Sequence, residues 1–146
     1  MSSLLTPDML KLYLFFWLMV TLCSAADTPS AISLVIGDTT FTVDLADTPA
    51  ARELAAALPI SIRMDDLNAN EKYGDLPHPL PTRAEDVRSI HTGDLMLFTP
   101  TCLVLFYKDF RTSYRYTRGG KVREAASLPA VLGRASVQIR LLPLQH

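Results

Sequence analysis

Most of this chain between Ile32 and Leu142 is cut into apolar or alternating runs of four to eight residues, closed by Gly, Asp or Pro. Runs that short fit strands far better than helices. Ile32–Ile36, the Gly37-Asp38 turn and the alternating Thr40–Leu45 read as a β-hairpin. In Ile60–Met64, Ile60, Ile62 and Met64 form an apolar face, with Ser61 and Arg63 on the other side. Gly93-Asp94 leads into Leu95–Phe98, and Pro100-Thr101 separates that run from Leu103–Tyr107; both read as buried strands. Arg111–Arg118 alternates with β-formers and is expected to end in a Gly119-Gly120 turn. Ala135–Leu142 is a final strand that pairs with the first and closes the sheet.

Two short helices interrupt the strands. Asp47-Thr48-Pro49 supplies a cap and a first-turn proline for a helix over Ala50–Leu58, stopped by Pro59. Ser127–Leu132 tolerates Pro129 because that proline falls in the first turn. Residues 66–90 lack sustained periodicity and read as a long loop. The expected fold is mainly β: a closed barrel with two short helices.

The N-terminus follows a different rule. Lys11 precedes the unbroken apolar run Leu12–Cys23, followed by Ser24-Ala25-Ala26. A cation, a short apolar core and small residues are the parts of a secretory signal, cut after Ala25 or Ala26. A membrane anchor is the alternative reading, but Leu12–Ala26 offers 15 residues where spanning takes roughly 20. The expected organisation is a signal peptide at 1–26 and one domain at 27–146, exported to the periplasm or secreted. Membrane contact is then only transient, through the signal.

Cleavage removes Cys23 and leaves Cys102 as the one cysteine, which excludes an internal disulfide and a thiolate-rich zinc site. Cys102 reads as a small buried hydrophobe in preference to a nucleophile. His78, His91 and His146 lack ligand spacing, and the adjacent Asp65 and Asp66 point to opposite strand faces. No metal and no cofactor is expected, and no catalytic residue can be named. A net charge of -1 gives no bulk argument for nucleic acid.

Charge layout is the strongest local feature. Residues 27–110 carry 13 acidic and 6 basic side chains, whereas 111–146 carry 7 basic and 1 acidic. Within 106–118, Lys108, Arg111, Arg115 and Arg118 interleave with Phe106, Tyr107, Phe110, Tyr114 and Tyr116. Two readings compete: a solvated face whose cations pair with acids of the first half, or an aromatic anion site. In the second, alternation puts Tyr114, Tyr116 and Arg118 on one face, with Tyr73 of the long loop closing over them and Arg118 favouring anions.

The blocks Asn70–Pro77, Gly93–Leu97, Cys102–Lys108 and Thr112–Thr117 together resemble the bacterial cyclophilin-like domain of poorly characterised proteins, over residues 31–141. The resemblance implies a cyclophilin-like closed β-barrel capped by two helices, and no established reaction, cofactor or substrate. True peptidyl-prolyl isomerases are a more distant likeness. Pro49–Leu58 and the following strand resemble their first helix and next strand, which puts Arg63 on the strand of their catalytic arginine. Its context, Ser61-Ile62-Arg63-Met64, departs from their Phe-His-Arg pattern.

The leading functional expectation is an exported domain that binds a small-molecule or peptide ligand without established catalysis. A divergent prolyl isomerase and an envelope protein-interaction module are the alternatives. Candidate ligand-binding residues are Arg63, Tyr73, Tyr114, Tyr116 and Arg118.

Overall fold

The computed structural model describes residues 27–145, so the expected signal segment lies outside the described residues. Among the described residues there are eleven strands, β1 (Ala31–Ile36), β2 (Thr39–Leu45), β3 (Ile60–Leu67), β4 (Glu71–Asp75), β5 (Glu85–Asp86), β6 (Ser89–Ile90), β7 (Asp94–Leu97), β8 (Cys102–Phe106), β9 (Phe110–Arg111), β10 (Arg115–Val122) and β11 (Val137–Pro143). The α-helices among the described residues are α1 (Pro49–Ala56) and α2 (Leu128–Leu132), the second preceded by a 3-10 turn at Ala125–Ser127.

Eight strands close into an antiparallel barrel in the order β2-β1-β11-β3-β4-β8-β7-β10, with β10 returning to β2. The final strand does pair with the first, Leu141 opposite Leu34. Alternation sends Ile62, Met64, Leu103, Leu105, Ile139 and Leu141 into the interior, where all are buried. Closure leaves these eight strands without a free edge.

The helices and one loop close off this core. The Thr48 side chain caps α1, accepting from the Ala51 N–H at 3.1 Å and donating to the Arg118 carbonyl at 2.8 Å. One hydroxyl thus starts the helix and fixes it to β10, while Ala50, Ala51 and Leu54 form its buried face. α2 begins Leu128-Pro129, as its first-turn proline allows, and buries Leu128 and Leu132. Leu76 and Leu80 of the loop after β4 also enter the core, their N–H groups donating to Thr101 and Pro100 carbonyls at 2.8 Å each. Each buried leucine stabilises by about 1.5–3 kcal/mol.

Two local expectations are corrected. Residues 66–90 are not one loop, because β4 lies within them. Its inward positions are Lys72 and Gly74, so the apolar alternation that reveals a strand is missing. Gly119-Gly120 is not a turn either. β10 runs through it with a bulge between Arg118 and Gly120, pairing with β7 from Thr117 to Lys121 and, on its other edge, with β2 from Gly120 onward. A β-carbon on Gly120 would sit 2.5 Å from the Asp44 carbonyl oxygen, so this close approach of β10 to β2 requires glycine.

A second, smaller core lies on the outer face of the barrel. Val87 and Ile90, from the segment holding β5 and β6, cover Met96, Val104, Phe106 and Tyr116, with Cys102 and Phe110 packed alongside. This added layer creates the relief in which the candidate site sits.

Candidate functional site

Outside the barrel wall, a cavity of about 650 Å³ opens between β4, β8, the end of β7, the β3–β4 turn and the segment 110–116. That volume suits a small molecule or a short peptide side. Strand alternation decides what reaches it. Glu71 and Tyr73 face outward from β4, and Cys102 and Val104 face outward from β8, while their neighbours fill the interior. Leu67, Phe98, Phe110, Tyr114 and Tyr116 complete the apolar and aromatic walls; Asn68, Asn70, Thr112 and Ser113 supply polar groups.

The rings hold one another in place. Phe98 and Tyr114 meet edge to face, with centroids 5.9 Å apart and planes at 85°. Phe98 lies 5.7 Å from Tyr116, and Tyr116 stands edge-on to Phe106 at 5.4 Å. Tyr116 is buried, but Tyr114 remains 63% exposed and Phe98 49% exposed. Of the five large apolar side chains exposed among the described residues, four line this cavity: Leu67, Tyr73, Phe98 and Tyr114. Scattered exposed apolar residues need no explanation, whereas four gathered in one concavity mark a binding surface.

Charge in the cavity is sparse. Glu71 is its one acidic residue and Arg111 its one basic residue. Burial, then the nearby Asp66 charge, pushes the Glu71 carboxyl above its ordinary value. Burial, with the charges of Asp75 and Glu71, raises the Cys102 thiol, which therefore stays protonated. Cys102 is only half buried, a wall of the cavity more than a core residue. Burial, then the charge of Glu71, pushes the Tyr116 hydroxyl up to about 12. None of these groups is tuned toward nucleophilic attack at neutral pH. Among the described residues no cluster of His, Cys, Asp or Glu suits a metal ion.

The structure brings together three of the five sequence-derived candidates, Tyr73, Tyr114 and Tyr116, in one lining. Arg118 lies outside it. Its Nε donates to Glu85 of β5 at 2.6 Å. Arg115 likewise meets Asp86 at 3.6 Å, Lys121 meets Asp94 at 3.9 Å, and Arg123 holds Asp44 through two donors. Four of the seven cations of residues 111–146 therefore pair with acids of residues 27–110, the solvated-face arrangement, and Arg118 gives the cavity no anion preference. Arg63 also lies outside the lining, 73% exposed on β3 with its Nε 3.5 Å from Asp65. Glu71, Phe98 and Cys102 escaped sequence reasoning as site residues. Only the β4–β8–β7 pairing brings them beside the tyrosines.

Comparison with known proteins agrees with this architecture. Residues 34–141 match the cyclophilin-like family. A search of curated proteins returns no match. Among solved structures, a hypothetical protein from Archaeoglobus fulgidus superposes with a TM-score of 0.63 at 16% identity, covering 83% of this chain and 99% of that one. McbB in complex with tryptophan superposes with a TM-score of 0.60, also at 16% identity, covering 79% of this chain and 45% of McbB. At that identity the likeness is one of fold alone.

Proposed function

The chain belongs to the cyclophilin-like family, and from that premise we propose that it is an exported ligand-binding domain whose outer-face cavity receives a small molecule or a peptide side chain. One observation carries the reading: four of the five exposed large apolar residues converge on a cavity of about 650 Å³. Their exposure has no use in folding and a direct use in binding an apolar group. Export rests on the sequence of the N-terminal segment, Lys11 followed by Leu12–Cys23 and Ser24-Ala25-Ala26. The protein then works in the periplasm or outside the cell, and intact-mass spectrometry of material recovered there should show an N-terminus at Ala26 or Asp27.

Binding is proposed without catalysis. The Cys102 thiol and the Tyr116 phenol are held protonated, and Arg63 stands apart from the lining. A titration with benzyl alcohol, followed by backbone amide shifts, tests the site. The amides of Tyr73, Phe98, Cys102 and Tyr114 should move together and saturate. Shifts that cluster on another face, or that never saturate, would contradict the assignment.

A further inference from the structure

Resting on the cavity as the ligand site, we infer that its preferred ligand carries an organic cation, an aromatic or alkyl ammonium group held between the rings and Glu71. The walls supply what such a group needs. Phe98 and Tyr114 stand at 85° to each other, which makes a corner with a ring face on one side. Tyr116 adds a third ring 5.7 Å from Phe98, and Tyr73 faces the same cavity from β4. A cation within roughly 6 Å of a ring centroid is attracted by its quadrupole, more strongly when water is excluded.

The charges around the cavity point the same way. Glu71 is half buried in the lining. Asp66, on the opposite face of β3, acts on Glu71, and Asp75 acts with Glu71 on Cys102. The Lys72 ammonium, 2.9 Å from Asp66, offsets that charge, so Glu71 and Asp75 are the carboxylates that bear on the inner wall. Within the lining itself the opposing charge is Arg111, an exposed residue. A ligand cation restores to the Glu71 carboxylate the favourable interaction that burial removed. An anion would meet the rings' negative faces and the carboxylates together.

Three ligands of matched size separate the possibilities: benzylammonium, benzyl alcohol and benzoate at pH 7, titrated against the protein and followed by the same amide shifts. Benzylammonium should bind about tenfold tighter than benzyl alcohol, and benzoate weakest. Glu71→Gln should erase the preference for benzylammonium. Phe98→Leu, which keeps apolar bulk and removes the ring, should lower benzylammonium affinity more than that of benzyl alcohol. Equal affinities for the three ligands, or a preference for benzoate, would overturn the cation inference and leave the cavity as the site. Persistence of the full preference in Glu71→Gln would also overturn it. Failure of all three ligands to shift the cavity amides would overturn the site itself.

Discussion

Lys72 Nζ donates to Asp66 Oδ1 at 2.9 Å from a position with no solvent exposure, on the face of β4 opposite the cavity. The same ammonium donates to the Gly133 and Ala135 carbonyls at 2.8 Å each, so its three protons are all used. The Tyr107 hydroxyl donates to the same Asp66 oxygen, and the ammonium lies 5.4 Å from the Tyr107 ring centroid. One buried cation therefore joins β4, β3 and the segment after α2. It also anchors the strand whose other face presents Glu71 and Tyr73.

Removing that cation should be costly. Lys72→Met leaves Asp66 without its charged partner and two carbonyls without their donor. The expected loss is about 3 kcal/mol, read as a lower urea midpoint. Adding Asp66→Asn to Lys72→Met should cost less than the sum of the two single changes, because the second charge has already lost its partner. Strict additivity would show that the pair is not coupled.

Stability should fall at both ends of the pH scale. The Tyr107 hydrogen bond, and next the Lys72 ammonium, hold the Asp66 carboxyl at about 2 against an ordinary 3.8. A lowered acid contributes fully above the unfolded value, so this stability is lost as pH falls from about 4 to about 2. Burial, and next the bond to Asp66, push the Tyr107 hydroxyl up to about 12 from 10.0. A raised group contributes fully below the unfolded value, so that share is lost as pH rises from about 10 to about 12. Urea midpoints measured across pH should show both limbs. Tyr107→Phe should shrink the alkaline limb without abolishing it, since Tyr116 is also raised to about 12.

The turn beside the cavity carries backbone strain. Asn68 and Ala69 have φ of 56° and 54°, and the Asn70 N–H donates to the Leu67 carbonyl at 3.0 Å. Asparagine accepts this left-handed region readily; alanine does not. Ala69→Gly should raise stability by about 0.5 kcal/mol, the relief of strain outweighing the added freedom of the unfolded chain. A fall in the urea midpoint would contradict this reading of the turn.

Prolyl isomerase activity should be weak or absent. Rotation about an X-Pro bond meets a barrier of about 18–20 kcal/mol, and catalysis requires groups that favour the twisted amide over both planar forms. Arg63 is directed to Asp65, which also accepts from Ser136 at 2.6 Å. A protease-coupled assay on a proline-containing peptide should show no acceleration above the uncatalysed rate. Cyclophilin-like rates abolished by Arg63→Ala would contradict the binding-only account.

Much of the barrel was legible because period-two alternation in β2, β3 and β11 reports burial directly. β4 was hidden because its inward residues are a lysine and a glycine. The charge on Lys72 is tolerated through Asp66 and through two carbonyls 61 and 63 positions away in the sequence. Alternation likewise placed Tyr116 on the correct face. It could not show that Arg118 on that face is occupied by Glu85, since the β5–β10 pairing spans a segment without periodicity. Phe98 and Glu71 gain their meaning from strand neighbours, which no local pattern encodes.

The most direct measurement is a crystal structure of the protein soaked with benzylammonium. The account expects the ligand in the outer-face cavity, its ring against Phe98 and Tyr114 and its ammonium within hydrogen-bond distance of a Glu71 carboxylate oxygen. Ligand density on another surface, with the cavity empty of it, would contradict the account.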